Sequence, residues 1–301
     1  MIKALTVTNY LGQSKRFELA YPEKSGFAIT NIEGLGPSKS NIITTEVSTN
    51  DGSLYNSAKT GSRNIVISLD FRFAKDIEQA RLETYKYFPN KKRCKLVIET
   101  DSRTCETYGY VEDNLPDIFA KEETAKISII CPDPYLYSVE KTITLFSGVE
   151  SVFEFPFENA SLTDNLLEMG VIKRDTMQTV FYKGDIEVGI VITIHAVGEA
   201  KHITIYNTGT RESMKINTDK IESLTGSGIV AGDTITISTV KGDKYISLLR
   251  DGKTYNILNC LDRYTNWFQV FKGDNIFAYV AEDGAMNLQF SIENQTLYEG
   301  V

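Results

Sequence analysis

Apolar and polar residues alternate through much of the chain. Ile65, Ile67, Leu69, Phe71 and Phe73 alternate with Asn64, Val66, Ser68, Asp70 and Arg72, which predicts a strand with one apolar face. The period then changes. Ile77, Ala80, Arg81, Thr84 and Phe88 fall on one helical stripe, with Leu82 and Tyr85 beside it. Asp76 is a good N-cap, and Gln79 three residues on completes a capping-box spacing. Pro89 stops this helix, and Lys91, Lys92 and Arg93 follow its negative end as solvated cations. Strands return at 95–99, 108–111 and 126–131.

The second half reads as all strand. Val188, Ile190, Ile192 and Ile194 alternate, as do Met286, Leu288, Phe290 and Ile292. Asp251-Gly252 and Asp283-Gly284 each sit between strand-like runs. Asp-Gly pairs favour two-residue hairpin turns because both positions tolerate positive φ. Gly209, Gly232, Gly242 and Gly273 add turn signals. Many short strands with frequent turns and no helical period predict a β-sandwich.

Residues 31–62 break the pattern. They are rich in Gly, Ser, Asn and Thr and only weakly periodic. A loop this long inside a compact domain is usually functional or disordered. It reads either as an arm that contacts a partner or as a plain loop with a short hairpin at Asn50-Asp51-Gly52. As an inter-subunit arm, its contact residues would be Leu35, Pro37, Ile42, Ile43, Leu54 and Tyr55.

The chain has 301 residues, a length that suggests about two domains. Cys131-Pro132-Asp133-Pro134 ends a core strand on an extended path, which puts the boundary near 140–150. Residues 1–140 carry 18 basic and 19 acidic side chains, and residues 141–301 carry 14 and 21, so the net charge of -8 belongs mostly to the second half. Such a balance argues against a sequence-independent grip on phosphate. The best apolar run, 189–194, is too short to span a membrane. The first residues lack the apolar core of a secretory signal.

Catalytic constellations are missing from the pattern. The two histidines, His195 and His202, have no metal-ligand spacing, and the four cysteines form no CxxC pair. Without a signal peptide, the cysteines read as reduced thiols made in a cytoplasm. His195 reads as a structural histidine on the face of Ile192 and Ile194 or at its end. Gly226-Ser227-Gly228 reads as a loop rather than a nucleophile. No metal, cofactor or catalytic residue is expected. The sole tryptophan, Trp267, together with Tyr264, offers an aromatic platform on which a sugar ring can stack; the alternative is that Trp267 fills the sandwich.

The chain resembles the distal tail proteins (Dit) of long-tailed phages of Gram-positive hosts. The resemblance runs over nearly the full length. It is carried by Gly61-Ser62-Arg63 and the strand after it, by Phe88-Pro89, by Tyr108-Gly109-Tyr110-Val111, and above all by Cys131-Pro132-Asp133-Pro134-Tyr135-Leu136-Tyr137. In the second half it is carried by Asn256-Ile257-Leu258-Asn259, by Phe268 through Gly273-Asp274-Asn275, and by the terminal Tyr298-x-Gly300-Val301.

The resemblance implies a mainly β protein without enzymatic activity: a β-sandwich-like, ring-forming domain with one α-helix at 1–140, and a galectin-like β-sandwich at 141–301. It implies a hexameric ring at the virion tail tip, made in the bacterial host cytoplasm. The ring would join the tail tube protein to the tail-tip protein and the receptor-binding apparatus, and DNA would pass through its bore without specific binding. No domain-sized segment is left for the carbohydrate-binding insertion that some relatives carry. The alternative function is a carbohydrate-binding adhesion module that uses the second sandwich on a cell-wall saccharide.

Overall fold

The computed structural model describes residues 1–46, 51–119, 123–150 and 171–301; at 147–150 and 171–174 only the strand path is given. The fold is mainly β and separates into two compact units, residues 1–140 with 297–301, and residues 141–296. The last five residues, grouped by sequence with the second half, lie in the first unit.

The first unit holds β1 (Ile2–Thr8), β2 (Ser14–Glu18), α1 (Pro22–Ser25), β3 (Ala28–Glu33), β4 (Ser40–Glu46), β5 (Ser53–Thr60), β6 (Arg63–Asp70), α2 (Ile77–Tyr87), β7 (Arg93–Thr100), β8 (Thr104–Asp117), β9 (Thr124–Cys131) and β10 (Leu136–Leu145), which runs on past Glu140. The antiparallel order is β2-β1-β7-β8-β9-β6-β3. The start of β8 pairs with β7 and its end with β9, with a register shift between Val111 and Asp113. Such a shift bends a strand and increases its twist, and here the sheet changes partners at that point.

Strand alternation supplies the core. Ile65, Ile67, Leu69 and Phe71 are buried with Leu5, Val7, Leu96, Ile98, Ile127 and Ile129. Phe27 meets Phe17 and Phe71 edge-on, each at 5.6 Å. The β6 strand stops earlier than its pattern predicts. Asp70 accepts the Arg72 N–H and its Nε at 2.8 Å, turning the chain, and Phe73 is left exposed.

The Asp76 carboxylate caps α2 by accepting from Glu78 N and Gln79 N, as the sequence predicts. Its stripe is narrower than predicted. Ala80, Thr84 and Phe88 are buried, whereas Ile77, Leu82 and Tyr85 are exposed.

The second unit holds β11 (Ser147–Glu150), β12 (Val171–Arg174), β13 (Met177–Tyr182), β14 (Val188–Gly189), β15 (Val191–Ala196), β16 (Lys201–Asn207), β17 (Glu212–Ile216), α3 (Thr218–Thr225), β18 (Thr234–Ser238), β19 (Tyr245–Arg250), β20 (Lys253–Asn256), β21 (Gln269–Val270), β22 (Gly273–Asp283) and β23 (Leu288–Tyr298). One sheet runs β13-β22-β16-β17 and the other β23-β15-β18-β19-β20. Their inner faces meet at Tyr279 of β22 and Phe290 of β23, stacked at 3.8 Å. This is a sandwich packing.

Three expectations are corrected here. The unit contains a helix, α3, whose Asn217 side chain caps Asp219 N and Lys220 N and which ends at left-handed Gly226. Asp283-Gly284 does not close a hairpin, because β22 and β23 belong to different sheets. The turn carries the chain from one sheet to the other, and a Cβ at Gly284 would lie 2.0 Å from the Glu199 carbonyl oxygen. His195 points away from the face of Ile192 and Ile194, with its Nδ1 3.1 Å from Thr234 Oγ1.

Candidate assembly surface

Residues 40–60, read from sequence as loop, form a long antiparallel hairpin. Ser40 pairs with Thr60, and the register runs to Glu46 opposite Ser53, with a shift between Ile43 and Thr44. Its tip at Asn50 lies outside the described residues, while Gly52 has φ 93°. Strands β4 and β5 pair only with each other among the described residues.

No residue of either strand is buried. Ile42 is 62% exposed, Ile43 47%, Leu54 63% and Tyr55 66%. A free two-stranded hairpin is marginal in water, and its edges offer unpaired backbone groups to another chain. Pro37 is exposed below the hairpin. Leu35 is not on this surface: it is buried in the first unit's core, where its carbonyl accepts from Val301 N at 3.1 Å.

The hairpin's base is held by a residue that sequence reasoning missed. Arg63 opens β6 and is 2% exposed. Its Nε donates to the Pro134 carbonyl at 2.7 Å, Nη1 to Gly34 at 2.6 Å and Gly36 at 2.7 Å, and Nη2 to Glu299 at 2.6 Å. One guanidinium thus ties together the approach to the hairpin, the Cys-Pro-Asp-Pro turn and the chain terminus. Burial lowers its pKa from the ordinary arginine value, and the four carbonyl dipoles are the acceptors that compensate a buried cation.

Glycine is required at the first of these contacts. Gly34 has φ 82°, and a Cβ there would sit 1.9 Å from the Asn64 carbonyl oxygen. The turn is braced further by Asp133, which accepts from Tyr135 N at 3.1 Å and from the Tyr137 hydroxyl. Burial pushes the Tyr137 hydroxyl up from its usual value, and the Asp133 carboxylate adds to that shift.

The aromatic candidates separate. Trp267 is partly buried and lines a cleft of about 380 Å³ in the second unit, and Lys244 Nζ lies 5.4 Å from its ring centre. Tyr264 is 87% exposed and does not line that cleft. All four cysteines are buried and unbridged, and burial pushes the Cys94 thiol up to about 12. Among the described residues there is no cluster of metal-ligating side chains, and no helix is long and apolar enough to cross a membrane.

No protein-family model and no curated protein matches the chain. Solved structures do. The Dit protein of SPP1, described as a paradigm of the hub adsorption apparatus in Gram-positive-infecting phages, aligns with a TM-score of 0.66 at 10% identity, over 97% of this chain and 98% of its own. A chain from the phage P2 baseplate in its activated conformation aligns with a TM-score of 0.47 at 13% identity, over 98% of both chains. The chain therefore has a Dit-like fold along nearly its whole length.

Proposed function

We propose that the chain is a structural protein of a phage tail tip, a non-enzymatic hub whose first unit closes into a ring of six copies. The single observation that carries this reading is the near-full-length likeness to SPP1 Dit. Two features of the chain support it.

The first is the hairpin. Seven paired residues span about 23 Å at the usual rise per residue. A 140-residue unit has a radius of gyration near 14 Å, so it is roughly 37 Å across as a uniform sphere. The hairpin is long enough to lie over much of a neighbour, and its four large apolar side chains are exposed among the described residues. Head-to-tail contacts of this kind close into rings when the rotation fits.

The second is charge. Six equal touching spheres leave a hole as wide as one sphere, which has room for duplex DNA. The first half of the chain is close to neutral, with 18 basic and 19 acidic residues, so the unit as a whole carries no net positive charge to hold phosphate. On this reading the ring sits at the virion tail tip, joins the tail tube protein to the tail-tip protein and lets DNA pass.

Replacing residues 41–59 with a short Gly-Ser linker tests the arm. This cut spares Gly34, Leu35 and Gly36, which the Arg63 contacts require. Wild-type protein at high concentration is expected to have the mass of six chains and to show hollow rings by negative stain. The replacement should stay monomeric with both units folded. Rings from the replacement would sink the arm.

A further inference from the structure

The loop that carries Trp267 is tied down along its length. It is pinned to β17 by the Ile216–Leu261 bridge, by Asp262 N donating to the Lys215 carbonyl at 3.0 Å, and by Asn266 N donating to Ser213 at 3.1 Å. Cys260 and Phe268 are buried at either end of it. From α3, Lys220 Nζ donates to the Asn259 carbonyl at 3.1 Å and closes one side. The cleft between is held in shape before anything enters it.

Four of its polar side chains are uncommitted. The side chains of Asn259, Asp262 and Arg263 have no hydrogen-bond or ion-pair partner among the described residues, and Thr265 Oγ1 is buried without one. A buried hydroxyl without a partner is unusual in a native protein.

The charge is also out of character for its surroundings. Residues 141–301 carry 14 basic and 21 acidic side chains, yet Lys220 and Arg263 line the cleft against a single carboxylate, Asp262, and a third cation, Lys244, stands over the indole. An indole beside hydroxyl, amide and carboxylate groups suits the stacked face and hydroxyls of a sugar ring. A free guanidinium suits a carboxylate or phosphate, which it can grip with two parallel bonds.

We propose that this cleft binds an acidic saccharide, a sugar bearing a carboxylate or phosphate group. Trp267 would stack on the ring, Arg263 would take the acidic group, and Asn259, Asp262 and Thr265 would take the hydroxyls. Tyr264 has no role in it. The proposal does not depend on the hub reading or on the hairpin.

The full chain contains one tryptophan beside sixteen tyrosines, so emission excited on the red edge, beyond tyrosine absorption, reports on this cleft alone. Hexagalacturonate and glucose 6-phosphate serve as acidic probes, with maltohexaose and inorganic phosphate as comparisons. A saturable change in Trp267 emission is expected with at least one acidic probe and with neither comparison. By calorimetry, Arg263→Gln should weaken that probe at least about tenfold, because its charged hydrogen bonds to the acidic group are lost. Arg263→Lys should recover part of the affinity, and replacing residues 41–59 should change nothing. Silence toward both acidic probes would overturn the proposal. So would an equal response to maltohexaose, which makes the cleft a neutral-sugar site, or to inorganic phosphate, which makes it a simple anion site.

Discussion

Two hairpins of this chain make opposite use of the same local chemistry. The hairpin β19–β20 turns at Asp251-Gly252 with φ of 50° and 73°, and β19 continues the sheet by pairing with β18. Ile246 and Leu248 go into the core. The hairpin β4–β5 has the longer ladder, seven pairs against four, but among the described residues it joins no other strand and buries nothing. An arginine stands beside each, Arg63 buried and Arg250 partly buried. Arg250 meets a carboxylate, Asp233, through Nε at 2.8 Å and Nη2 at 2.5 Å. Arg63 meets only backbone carbonyls. Turn chemistry and pairing make a hairpin, but only burial makes it part of a core. The first unit compensates for an unburied hairpin by fixing its base.

The largest effect is expected at Arg63. Arg63→Met removes the donor from four carbonyls at once. With each stranded acceptor costing about 1–3 kcal/mol before relaxation, the first unit should lose about 4 kcal/mol. Denaturant unfolding checks it, and a loss below about 1 kcal/mol would mean that the clamp is not what holds the base.

Arg250→Met should cost the second unit about 3 kcal/mol, because Asp233 is left buried without its cation. The double variant Arg250→Met with Asp233→Leu should recover much of that loss, since an apolar pair can replace a buried ion pair. No comparable rescue exists for Arg63, whose partners are backbone.

A smaller effect comes from Asp70. The Arg72 side chain and N–H hold its carboxyl below the usual carboxylate range. Its contribution is fully present above the unfolded value of about 3.9 and is lost as pH falls through the lower folded value. Asp70→Asn should therefore flatten the acid limb of the stability curve below about pH 4 and leave the slope near neutral pH unchanged.

The smallest effect on folding is expected in the hairpin itself. Ile42→Ser with Leu54→Ser should move the monomer's stability by no more than about 0.5 kcal/mol, as is usual for exposed positions. A large loss would show that these side chains already have a partner within their own chain.

How much of this was legible follows the same line. Strand β6 alternates because one face is buried, and the α2 cap is written in Asp76, although the Gln79 side chain makes no return bond among the described residues. Asp251-Gly252 is a hairpin in both sequence and structure. The identical pair at Asp283-Gly284 is not, because its flanking strands found partners in different sheets, which no local signal records. Helix α3 is only eight residues long, too short for periodicity to show, although Asn217 and Gly226 mark its ends. Strands β4 and β5 read as loop because neither face is buried, so nothing enforces alternation. Arg63 did leave a trace. It shares the parity of Ile65, Ile67 and Leu69 and so had to lie on the inward face. Its partners, at 34, 36, 134 and 299, are backbone carbonyls, and these carry no sequence signature.

On the hub reading, the hairpin of one copy engages another copy. A photo-crosslinking residue in place of Tyr55, activated in full-length protein at high concentration, tests it most directly. The account predicts crosslinks from the hairpin to the first unit of a second chain, in particles with the mass of six. Assembled particles in which position 55 crosslinks only within its own chain would contradict it, as would protein that stays monomeric and uncrosslinked at every concentration.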